Sequence, residues 1–286
     1  MIGVYDSGYG GLTVLAALRA ALPEHSLVFL GDNGRAPYGD RDSGTILDFS
    51  EQCVERLFDE GCRLVVVACH TVSCIALRHL QSRYGGSERR ILGVTIPAAE
   101  MAVARLAASG GEAVGWLGTT RTVLSRTPEI EIAKLQPRLK VHLLAAPLLV
   151  PIVEEGLEDS PLAELAVDHY LRQLPAVDAL VLGCTHSPLL LPIFSRLVPP
   201  GVTVLDPAAF VAERLVDWLR RHPGFSTPQQ GGGGLRLLGS GDPRLVGPRA
   251  ARLYGAPLPP VEHVAETSGR LAHRLLPEQP LGQVLR

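Results

Sequence analysis

The sequence predicts an α/β fold with parallel sheets covered by helices, and three observations carry that expectation. Short apolar runs alternate with longer segments of helical period. Polar residues and thiols follow several of these runs directly, which is where ligands bind in open parallel sheets. Two runs share one plan, an apolar strand, a small residue, a cysteine, then threonine and histidine opening a helix: Leu64-Val65-Val66-Val67-Ala68-Cys69-His70-Thr71 and Ala179-Leu180-Val181-Leu182-Gly183-Cys184-Thr185-His186. Their likeness points to two pseudo-equivalent halves facing each other across a cleft.

In chain order, the run 2–5 meets Asp6-Ser7-Gly8, and the glycines to Gly11 make a tight turn into a helix over 12–21. The run 26–30 ends at Gly31-Asp32, and a polar stretch holding Pro37-Tyr38-Gly39 leads to a helix over 43–59. Strand 64–68 feeds Cys69 and a helix over 71–83, and strand 90–94 feeds a helix over 96–108. Strand 113–117 continues through Gly118-Thr119 to a helix over 122–135, and strand 140–144 precedes a helix over 161–174. The remaining pairs are 179–182 with 189–198, 202–205 with 207–221 and 235–239 with 243–254. Val/Leu/Ile-rich runs without alternation read as strands buried on both faces, and prolines at 161, 207 and 243 suit first helical positions.

Bulk composition narrows the function. The 286 residues are 46% hydrophobic and 20% charged, enough for one large domain or two moderate ones. A net charge of −2 with no long basic run argues against nucleic acid as a partner, and no apolar stretch is long enough to span a bilayer. With no leader-like segment ahead of the first strand, a soluble cytoplasmic protein acting on a small molecule is expected. Cys53, Cys62, Cys69, Cys74 and Cys184 lack C-x-x-C spacing and the histidines lack ligand spacing, so reduced thiols and no metal are expected. Lys134 and Lys140 are the only lysines and neither is set for a Schiff base, which disfavours pyridoxal phosphate; no cofactor is expected.

Cys69 and Cys184 carry the chemistry. A thiol between a strand and a helix N-terminus sits near free backbone N–H groups, which is expected to lower its pKa from about 8.5. His70 and His186 stand close by in sequence to share a proton. A lone strand-end cysteine reads as a small buried apolar side chain, as Cys53, Cys62 and Cys74 do. Two in matching contexts suit the inversion of an α-carbon, where one group takes a proton from one face and the other returns one to the opposite face. Ser7, Thr71 and Thr185 could hold the substrate carboxylate as charge builds on the α-carbon.

Four segments together resemble the glutamate racemases of the aspartate/glutamate racemase superfamily: Asp6 to Val14, Gly31-Asp32 with Pro37-Tyr38-Gly39, Ala68-Cys69-His70-Thr71, and Leu182 to Leu190. Gly118-Thr119 with Thr122-Val123, Pro147 to Gly156, and Ser240-Gly241-Asp242-Pro243 add to the likeness. The resemblance implies two α/β domains related by a pseudo-twofold, residues 1–94 plus 206–286 and residues 95–205, with the active site in the cleft between them. It implies cofactor-independent interconversion of L- and D-glutamate, supplying D-glutamate for peptidoglycan, and leaves a homodimer open. Cys69 matches the cysteine that works on the D-enantiomer and Cys184 the one that works on the L-enantiomer. Asp6 matches the carboxylate assisting the first thiol, and His186 with Glu154 the pair assisting the second. Ser7, Tyr38, Gly39, His70, Thr71 and Thr185 fall on substrate-binding positions, with Asp6 and His186 also touching substrate. Three positions depart from the pattern: His70 stands where the family usually has asparagine, Asn33 where it has threonine or serine, and Ser187 where it has tyrosine. Two alternatives therefore stay open, a racemase of the superfamily with another or broader amino-acid substrate, and a weakened paralogue that binds an amino acid or a protein.

Overall fold

The computed structural model describes residues 1–264 and the backbone of 266–267 and 270–271. Two all-parallel sheets organise it. The larger comprises β1 (Ile2–Asp6), β2 (Leu27–Gly31), β3 (Leu64–Val67), β4 (Arg90–Gly93), β9 (Leu235–Gly239) and β10 (Val261–His263), in the order β10-β9-β2-β1-β3-β4. The smaller comprises β5 (Ala113–Gly118), β6 (Lys140–Ala145), β7 (Ala179–Leu182) and β8 (Thr203–Leu205), in the order β6-β5-β7-β8. A short antiparallel pair, β11 (Glu266–Thr267) with β12 (Arg270–Leu271), follows in the C-terminal tail. The rest of that tail lies outside the described residues.

The helices are α1 (Leu12–Ala21), α2 (Ser43–Asp59), α3 (His70–Ile75), α4 (Leu77–Tyr84), α5 (Thr95–Ser109), α6 (Thr120–Ser125), α7 (Thr127–Leu135), α8 (Leu149–Glu154), α9 (Pro161–Leu171), α10 (Leu191–Leu197), α11 (Ala208–Arg221) and α12 (Pro243–Tyr254). The α/β expectation holds, because β1, β2, β3 and β7 are buried along their whole length and need helices on both faces. Three apolar clusters fill the layers. One, containing Leu12, Leu15, Leu182, Phe194 and Leu215, runs through both halves and packs one sheet's helices onto the other's. The second lies under α2 to α4, and the third between the smaller sheet and α5 and α7.

Two expected helices are broken and two elements went unread in the sequence, each for an identifiable reason. The helix read as 71–83 breaks at Ala76 (φ −107°). Its first turn is pinned to strand ends, Ser73 donating to the Val67 carbonyl (3.1 Å) and accepting from Val94 N–H (3.3 Å), while α4 tilts to bury Leu77 and Leu80. The helix read as 122–135 breaks at Arg126, which adopts φ +52°, and α7 restarts with Pro128 in its first turn, where no N–H is needed. Helix α8 escapes the periodic pattern because it is one and a half turns long and contains Pro151. Strand β10 is three residues at a sheet edge after a pair of prolines.

Candidate active site

The carboxyl ends of β1, β3, β5 and β7 converge on one cavity of about 190 Å3, an amino-acid-sized space between the two sheets. Ser7, Tyr38, Gly39, Cys69, His70, Thr71, Glu154, Cys184, Thr185 and His186 line it. Asp6, the remaining residue singled out from the sequence, lies behind the wall. It is fully buried at the end of β1 and accepts from Gly8 N–H (3.0 Å) and from the Thr185 hydroxyl across the cleft (3.4 Å). Sequence reasoning missed Ala36, Pro37, Asp40, Thr119, Pro147, Val150 and Pro151 as wall residues. Thr119 was accessible to it, since it follows β5 as Cys69 follows β3. Of the three departures from the superfamily pattern, only His70 is on this wall; Asn33 and Ser187 are not among its lining residues.

Each thiol has its own polar partners. Cys69 caps the N-terminus of α3, with the Ser7 hydroxyl 3.3 Å from its sulfur. Cys184 lies 3.8 Å from His186 Nδ1, and His186 Nε2 is 2.9 Å from a Glu154 carboxylate oxygen. Gly10 admits this arrangement, because a Cβ there would fall 2.3 Å from the Thr185 hydroxyl and 2.5 Å from His186 Nδ1. Thr71 and Thr119 bring their hydroxyls within 2.9 Å of each other across the cleft, and Thr122 stands 3.1 Å from Thr119. Gly39 accepts from Arg121 N–H (2.9 Å), and Thr13 donates to the Thr185 carbonyl (3.2 Å). The Tyr38 hydroxyl donates to Asp32. Asp32, itself buried, also accepts from Arg35 Nε (2.7 Å) and Ser240 (2.6 Å), which fixes the loop carrying Tyr38 and Gly39.

The expectation that a helix N-terminus lowers the Cys69 pKa fails. Burial pushes Cys69 up to about 12, with the nearby Asp6 carboxylate adding to it, and outweighs a helix of only six residues. Cys184 does not meet an α-helix at all; a 3-10 turn over Ser187–Leu190 follows, and α10 begins at Leu191. Burial acts against the charged form of His186, yet its bonds to Cys184 and Glu154 and their charges raise it to about 10, so it is an imidazolium at neutral pH. Burial alone lowers His70 to about 4, which keeps it neutral. Burial also raises the Asp6 carboxyl, with His186 pulling the other way.

Trp116, fully buried on β5, forms a floor common to both thiol segments. Its ring meets His70 edge-on at 5.9 Å, and a Cβ on Gly183 would lie 1.9 Å from its indole nitrogen. Gly183→Ala is therefore expected to destabilise the fold by about 1–3 kcal/mol through overpacking. It is also expected to displace the adjoining Cys184. Urea denaturation measures the first effect, and wild-type stability in the variant would show that the indole moves aside freely.

The chain matches the Asp/Glu/hydantoin racemase family over residues 13–215. It is 38% identical to glutamate racemase of Roseobacter denitrificans over 88% of this chain and 95% of that one. Among solved structures, glutamate racemase from Thermus thermophilus in complex with β-chloro-D-alanine superimposes with a TM-score of 0.79 at 38% identity, covering 92% of this chain and 96% of the other. Glutamate racemase from Francisella tularensis in complex with D-glutamate gives 0.83 at 26% identity, again over 92% and 96%. With sequence match, fold and converging strand ends in agreement, the chain belongs to the Asp/Glu/hydantoin racemase family.

Proposed function

We propose that the protein interconverts L- and D-glutamate by two-thiol α-proton transfer without a cofactor, supplying D-glutamate for peptidoglycan in the cytoplasm. One observation carries the mechanism: two cysteines from different sheets line one cavity, each with its own proton-handling partners. In the resting protein Cys69 is a thiol, and Cys184 is paired with a charged His186 imidazole. That pair removes the α-proton of the L-enantiomer, and Cys69 delivers its own proton to the opposite face. The C–H bond broken on one face is replaced by a C–H bond on the other, so atoms and electrons balance. Positive charge on His186 and donors such as Thr185 stabilise the carbanion-like transition state. The Thr71 and Thr119 hydroxyls on the cavity wall supply donors for a second carboxylate, which favours a dicarboxylic substrate. The relatives support a glutamate substrate: they are named glutamate racemases, and one was solved with D-glutamate. Two domains, 1–94 plus 206–286 and 95–205, fit this reading, each contributing one sheet and one thiol.

The test is α-proton exchange in deuterated buffer, followed by NMR and chiral chromatography with no cofactor added. Deuterium entry with inversion of both L- and D-glutamate is expected. Silence with glutamate but inversion of another amino acid would favour the broader-substrate reading, for which the neutral His70 on the cavity wall is the specific observation.

A further inference from the structure

Helix α12 follows β9 of the larger sheet, yet its basic side chains grip the end of α8 in the other half. Arg252 Nη2 donates to the carbonyls of Val153 (2.8 Å) and Glu154 (3.1 Å), the last two residues of α8. Its Nη1 pairs with Glu158, and Arg249 pairs with Glu155 at 2.9 Å. Gly156, at φ +78°, lets the guanidinium approach; a Cβ there would lie 3.3 Å from it. One guanidinium thus takes up two helix-end carbonyls and a carboxylate, a set of contacts that its planar fork suits. Glu154 belongs to the turn so held, and its side chain reaches His186.

We propose that Arg252 is a positioning residue for the reaction: by clamping the end of α8 it sets the Glu154 carboxylate on His186, and through His186 it governs proton handling at Cys184. This rests on the reading that Glu154 and His186 serve Cys184. Among the described residues, Glu154 from α8, Cys184 from the end of β7 and Asp6 from the end of β1 are the titratable groups that face His186. Only Glu154 is carried by the turn that Arg252 holds. Releasing that turn weakens one of the contacts that keep His186 protonated and leaves the other two groups in place.

The experiment compares Arg252→Met, Arg252→Lys, Glu154→Gln and the double variant Glu154→Gln/Arg252→Met, using kcat and KM for each enantiomer, the pH profile and the melting temperature. Arg252→Met is expected to lower kcat about tenfold, as small displacements of catalytic groups do. It is also expected to move the alkaline limb of the profile down by about one pH unit as His186 loses its carboxylate partner. In the Glu154→Gln background the same change adds less than about twofold, because the group it positions has gone. Arg252→Lys keeps a cation at the helix end, and recovery of most of the activity is expected, which covers the case in which the methionine variant folds poorly. Wild-type kcat and pH profile in Arg252→Met, or a full tenfold effect of it on top of Glu154→Gln, overturns the proposal. A silent Glu154→Gln would overturn both the proposal and the reading beneath it, whereas an impaired Glu154→Gln beside a silent Arg252→Met would remove the proposal alone.

Discussion

Changing Cys69 or Cys184 to alanine is expected to slow glutamate racemisation about a thousandfold or more, in both directions at once. Enantiomers have equal free energy in water, so the equilibrium constant is unity and kcat/KM must fall equally for the two, whichever thiol is lost. The two variants are told apart by exchange without inversion. Cys69→Ala retains the Cys184–His186 pair, and deuterium is expected to enter the α-position of one enantiomer with its configuration kept. Cys184→Ala retains a sulfur that burial holds at about 12, a poor base at neutral pH, and its exchange into the opposite enantiomer is expected to be slower. Racemisation within about tenfold of wild type in either variant would sink the two-thiol reading, since a single acid/base group cannot serve both faces.

The second large effect belongs to His186. His186→Asn is expected to lower kcat by about a hundredfold or more, because the imidazolium beside Cys184 is both proton carrier and counter-charge. The same group links stability to pH. Its folded pKa, about 10, lies above the unfolded value of about 6.5, so between these limits the folded state holds the extra proton. Stability from the charged imidazole is therefore complete below about pH 6.5 and is lost as pH rises through about 10. Urea denaturation of wild type and His186→Asn across pH 6 to about 10.5 should show a gap that closes at the alkaline end. A gap that widens with pH would mean that His186 is neutral in the folded protein.

Much of the site was legible because parallel sheets place function at strand ends, and strand ends can be read from apolar runs. Asp6, Ser7, Cys69, Thr71, Cys184, Thr185 and His186 all follow such runs, and the structure brings them to one place. Glu154 was legible only by resemblance, since the short proline-containing α8 that carries it has no amphipathic period to detect. Thr119 obeyed the same strand-end rule and was passed over because it stands beside no thiol. The pKa values were beyond local reading. A helix N-terminus is visible in sequence, but the burial that drives Cys69 upward depends on both sheets closing over it. Asn33 and Ser187 looked equivalent to His70 along the chain, and only packing shows that they lie off the cavity wall. Arg252 gave no signal, for its partners are 94 to 99 positions away.

Both sulfurs are nearly closed off from water, Cys69 at 5% and Cys184 at 9% exposure. Under the two-thiol reading each turnover leaves the pair with its protons exchanged, so the emptied protein carries a record of the handedness it last released. Erasing that record requires either a substrate of the opposite hand or a proton passing between the buried sulfurs and solvent. Burial slows the second route. At high concentration of one enantiomer the pace is then set by how quickly the pair forgets, and the walls that protect the carbanion also act as the enzyme's clock.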